Sequence, residues 1–157
     1  MAANDSSAEG TRRSAPQMIG LAVAAMFYLI GVLGFVPGVT QNYGSMELAG
    51  HQSRAELLGL FQISILHNIV HLLFGLVGSL MSRTTTGTIG FLIGGGLVYI
   101  LLWVYGIFVD MGGPANFVPL NSADNWLHLG LSVGMILLGL FARGISEKEV
   151  GAASMRA

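Results

Sequence analysis

Residues 57–81 read LLGLFQISILHNIVHLLFGLVGSLM, a run without a single Asp, Glu, Lys or Arg. A bilayer core about 30 Å thick needs about 20 mostly apolar residues per helix. The run is long enough and predicts a membrane span. Steps of three and four through it link Ser64, His67, His71, Gly75, Gly78 and Ser82. All six are polar or small, while Leu66, Leu73 and Leu80 point elsewhere. That spacing is helical, and it predicts one face turned from lipid toward other helices.

The remainder of the chain agrees. Of 157 residues, 53% are hydrophobic and only 10% charged, and the mean hydropathy is +0.69. Soluble domains carry about 25% charged residues, so composition places the chain in the membrane class. A net charge of −1 provides no basic footprint for nucleic acid, and the absence of cysteine excludes disulfides and thiolate metal sites. The 23 glycines suit membrane helices, where they allow backbones to approach closely.

Four apolar runs qualify as spans. The first covers about 17–36 and closes at Pro37-Gly38. The second covers about 57–81, with Ser53-x-x-Glu56 as its expected capping box. The third covers about 88–109 and ends at Asp110 and the Gly112-Gly113-Pro114 turn; the fourth covers about 122–142 and stops at Arg143. The expected fold is all-α, a four-helix transmembrane bundle in one membrane domain, 17–143. Residues 1–16 are expected as a flexible cytoplasmic tail and 144–157 as a short one. The arginine pair in TRRSAP (11–16) precedes an apolar run too long for a signal peptide and without a small-residue cleavage site, which predicts a first span.

With four spans, Arg12, Arg13, Arg83, Arg143, Lys148 and Arg156 fall on one side, against Arg54 on the other. The positive-inside rule then predicts a multi-pass protein with both termini cytoplasmic. Every span has a small or polar stripe: Gly20, Ala24, Tyr28 and Gly31; Gly96, Tyr99, Trp103, Gly106 and Asp110; Asn121, Asn125, His128 and Ser132. Gly90-x-x-x-Gly94 and Gly130-x-x-x-Gly134 suggest further close packing.

Intramembrane ionisable residues are costly and usually face the bundle interior. The candidate polar cluster is His67, Asn68, His71, Asp124, Asn125 and His128. Counted from Leu57 at about 1.5 Å per residue, His67 is expected about 15 Å below the outer boundary. Histidine and carboxylate pairs four apart on facing helices, His67, His71, Asp124 and His128, could ligate a metal. Histidines could also grip a haem, pass protons or contact a quinone headgroup. Against this, Asp124 stands three residues after Asn121, where a carboxylate caps a helix start. Buried histidines and asparagines often only bond across helices. The favoured expectation is therefore no cofactor. His67 or His71 would bond to Asp124, Asn125 or His128 in a network joining the second and fourth spans. Tyr99 and Trp103 are read as core or lipid-packing residues. There is no phosphate loop, nucleophile elbow or zinc-protease motif. The functional expectation is a non-enzymatic structural or accessory bundle in the lipid bilayer, partnered by copies of itself or a larger membrane complex. The alternative is a metal-, haem- or quinone-binding protein with a redox or proton-handling role.

Three segments, GVLGFVPGVT (31–40), LLGLFQISILHNIVHLLFGLVG (57–78) and LNSADNWLHLGLSVGMILLGL (120–140), resemble a bacterial family of small four-span membrane proteins. That family is frequent in actinobacteria and is catalogued as a domain of unknown function. The resemblance implies four spans and a bacterial cytoplasmic (inner) membrane. It marks His67, Asn68, His71, Asp124, Asn125 and His128 as positions matching the family's polar motifs. It implies no activity.

Overall fold

A computed structural model describes residues 13–155. Most of the expected N-terminal tail lies outside the described residues. Among those described, four helices and three short strands form: α1 (Ala15–Leu33), β1 (Thr40–Gln41), β2 (Ala55–Leu57), β3 (Phe61–Ile63), α2 (Ile65–Met81), α3 (Thr85–Phe108) and α4 (Ser122–Ser154). The protein is mostly helical. α1, α3 and α4 are each long and apolar enough to cross a membrane, whereas the apolar α2 is shorter, at 17 residues.

The expected all-α fold is corrected by the strands. They form an antiparallel sheet in the order β1-β2-β3, with Thr40 opposite Leu57 and Ala55 opposite Ile63. Leu57 is therefore a strand residue, and the helix within the 57–81 run begins only at Ile65. The reason is local. From 55 to 63 burial alternates by twos: Ala55, Leu57 and Ile63 are buried, with Glu56 and Gln62 between. A tight turn reverses the chain at Leu58-Gly59, both at positive φ (57° and 69°). Such a turn favours glycine, and Leu58 occupies it as an outlier. The helix cap is Ser64, whose Oγ accepts from the His67 amide at 3.1 Å, and not Ser53. Ser53 instead stitches the sheet by donating to the Ile63 carbonyl at 2.5 Å. His67 thus lies in the first turn of α2, nearer its end than the expected mid-membrane depth.

The fourth helix also departs from expectation. It runs past Arg143 to Ser154, so most of the expected C-terminal tail is helical. No Pro interrupts residues 143–154, and Arg143 pairs with Glu147 one turn on, at 2.8 Å. Such an exposed pair contributes only a few tenths of a kcal/mol, about 0.3–0.5.

The helices assemble as two hairpins, α1 with α2 and α3 with α4, which meet around Phe27, Phe91, Leu92, Tyr99 and Met135. All six residues of the α2 stripe are buried. Leu29, Leu73, Leu101, Phe108, Leu137 and Phe141 face outward. That distribution suits an apolar surrounding, since a soluble monomer rarely exposes apolar patches of this extent.

Close packing falls on glycines other than the expected pairs. A Cβ placed on Gly94, Gly130 or Gly134 would meet nothing within 4 Å, and one on Gly90 would meet only Met81 Cε at 3.4 Å. At Gly96, by contrast, it would lie 2.6 Å from Ile136 Cγ1 and 3.0 Å from the Ser132 carbonyl oxygen. α3 and α4 approach at Gly96 because no side chain intervenes. Gly96→Ala is expected to lower stability by about 1–3 kcal/mol in detergent unfolding experiments. Gly94→Ala should be neutral or stabilising by up to about 1 kcal/mol through helix propensity. Equal effects at both positions would contradict this packing.

Candidate functional site

The structure divides the six candidate residues among three tasks. Asn68 and Asn125 take the first. Asn68 lies over the end of α1, where a Cβ on Gly34 would fall 2.1 Å from its Oδ1. Asn125 lies over the end of α3, with its Oδ1 2.1 Å from a Cβ on Gly106. Each hairpin thus seats an asparagine from the start of its second helix on a glycine near the end of its first. Neither asparagine reaches the histidines, and both Oδ1 atoms are buried without a partner.

Asp124 takes the second task, that of a clasp. Its Oδ2 accepts from the Asn121 amide and from the Gln62 amide of β3, both at 3.0 Å. The Asn121 side chain accepts in turn from the Asp124 amide at 2.9 Å, completing a capping box, and its Nδ2 donates to the Leu60 carbonyl at 2.8 Å. This side chain joins the sheet to the start of α4.

The three histidines remain. No hydrogen bond links His67 or His71 to Asp124, Asn125 or His128 among the described residues, so the expected bonded network between α2 and α4 is corrected. The intermediary is Tyr99 on α3. His67 and His71 stack with ring centroids 4.6 Å apart. His71 Nδ1 lies 3.2 Å from the His67 carbonyl oxygen. That oxygen can only accept, so Nδ1 carries the proton, and Nε2 of the neutral ring accepts from the Tyr99 hydroxyl at 3.5 Å. Tyr99 also meets His128 edge-on, at 5.2 Å between centroids. Nδ1 of His67 and Nδ1 of His128 are buried and have no partner.

These rings border a cavity of about 170 Å³. Ser64, Leu66, His67, Val70 and His71 come from α2, Tyr99 and Leu102 from α3, His128 from α4, and Phe117 and Val118 from the preceding loop. That loop is held by a residue sequence reasoning missed. Asn116 is fully buried, donates to the Met111 and Leu120 carbonyls at 3.0 Å and accepts from the Leu120 amide at 3.1 Å. Its signal was present, since asparagine beside Pro and Gly often bonds its own backbone.

Among the described residues no three His, Asp or Glu side chains come together as a metal would require, because Asp124 is committed to the sheet. The space is close to that of a cavity of about 150 Å³ that admits benzene, far below a porphyrin.

Mostly helical, with three membrane-length apolar helices and a small sheet, the protein is of a kind defined by its apolar faces and buried polar stripe. The sequence profile of the family described as Domain of unknown function (DUF4383) matches residues 17–141, and the chain belongs to that family. No curated protein and no solved structure matches it.

Asp124→Ala removes an acceptor shared by two partly buried amides. It should destabilise the protein by roughly 2–3 kcal/mol and speed hydrogen exchange at the Gln62 amide before exchange in mid-α3. Unchanged Gln62 protection would contradict the clasp.

Proposed function

We propose that this chain is a four-span protein of the bacterial inner membrane, non-enzymatic, that binds a small apolar molecule in the cavity bounded by His67, His71, Tyr99 and His128. The observation carrying this reading is a ring-sized apolar cavity lined by His67, His71, Tyr99 and His128, in which the rings of His67 and His128 make no hydrogen bond among the described residues.

α2 rises about 26 Å as a helix, short of a core of about 30 Å, and the sheet that precedes it completes the crossing. The end of the bundle near Ser14 and Arg83, joined by Gln17 Nε2 donating to the Arg83 carbonyl at 2.5 Å, is cytoplasmic. The arginine and lysine asymmetry supports that orientation. The sheet, Arg54 and the cavity then lie toward the outer face, and the helix beyond Arg143 extends into the cytoplasm.

Two measurements test this. Reporter fusions should be active inside at Ala157 and outside within residues 41–53; the reverse pattern defeats the orientation. Toluene should raise the melting temperature of the detergent-purified protein, and Val70→Phe, which fills the cavity from an exposed α2 position, should abolish that rise while the protein still folds. Equal stabilisation of the filled variant would defeat the binding reading.

A further inference from the structure

We infer that the occupant is a membrane quinone, or an uncharged ring of the same shape with an oxygen acceptor on each of two edges; this rests on the binding reading above. The argument counts donors. The His71 proton is used on the His67 carbonyl, and the Tyr99 proton on His71. A neutral imidazole always carries one N–H and one acceptor nitrogen. Nδ1 of His67 and Nδ1 of His128 are closed off and meet no acceptor, so the nitrogens left to donate to a ligand are Nε2 of the same two cavity-lining rings, on different helices, α2 and α4. Both side chains are more than nine-tenths buried, at 7% and 3% exposed.

Charge narrows the class. No Lys, Arg, Asp or Glu lines the cavity. A phosphate or carboxylate head would enter without a counter-charge, at a cost far beyond that of a neutral group. The volume admits one six-membered ring with small substituents. The route in is apolar: Leu66, Val70 and Phe117 border the cavity and are also exposed on the outer surface. An alkyl or isoprenoid tail would leave past these residues into lipid while the ring sits against the histidines. A 1,4-quinone carries one carbonyl on each of two edges, one acceptor for each of the two histidines. The chain has no cysteine, so a quinone has no thiol to add to, and binding can be read as reversible.

The test compares a short-chain alkyl-1,4-benzoquinone with the alkylbenzene of the same chain, on the intact protein in detergent. Binding is followed by melting temperature and by the carbonyl stretch of the bound quinone in difference infrared spectra. The quinone should bind at least tenfold tighter than the alkylbenzene, with its carbonyl band moved to lower frequency. His67→Phe and His128→Phe should each weaken quinone binding about tenfold, the loss of one hydrogen bond, reduce the band shift, and leave alkylbenzene binding unchanged. Val70→Phe should exclude both ligands from a folded protein. Equal affinity for the two ligands, or quinone binding with an unshifted carbonyl band, overturns the quinone assignment and leaves the cavity reading standing. If neither ligand binds, both readings are overturned.

Discussion

One carboxylate oxygen, Asp124 Oδ2, accepts a backbone hydrogen bond from the start of its own helix and another from the neighbouring sheet. Both bonds are partly buried, and backbone groups withdrawn from water must be satisfied within the protein. This end of the molecule is organised around that requirement. Because Gln62 is tied to Asp124, β3 lies against the start of α4, and the helix that follows β3 starts at Ser64. His67 and His71 are thereby set at the level of Tyr99 and His128. A helix running from Leu57 would have carried the same histidines to another depth and removed the strand that Asp124 holds.

Packing between helices rests on a second constraint, the distance at which backbones can meet. Asn68 over Gly34 and Asn125 over Gly106 repeat one contact in the two hairpins. In both, a polar side chain occupies space that any Cβ would fill. Gly20 plays the same part toward Ser82, whose Oγ lies 2.2 Å from where its Cβ would be. Small residues buried on one face and large apolar ones exposed on the other are expected where lipid removes the hydrophobic drive between helices.

The cavity is where these constraints leave something over. Rings from three helices converge there, yet the hydrogen bonds among them account for His71 and Tyr99 and not for His67 or His128. Native interiors rarely leave buried polar atoms unmatched; here Nδ1 of His67 and of His128 are unmatched at the cavity, and Oδ1 of Asn68 and Asn125 and the Ser82 Oγ where helices pack on glycine.

By itself the sequence determined the apolar helices, the buried stripe of α2 and the capping of α4 by Asn121 and Asp124. Each depends on residue type at short spacing, on periods of three and four or on a cap three residues away, and so is written locally. It also marked all three cavity histidines. What only the tertiary structure decided was their partners. The Leu-Gly-Leu turn at 58–60 looks like part of an apolar helix until β2 and β3 pair and supply the backbone bonds the helix would have made. Asp124 could be a ligand or a cap until Gln62 arrives from 62 residues away. Gly94 and Gly96 lie on different faces of α3, and glycine on either face permits a close approach until α4 covers the one with Gly96. Lipid-facing and protein-facing positions can both be small or apolar, so hydrophobicity could not tell these faces apart; the packing of one helix on another did.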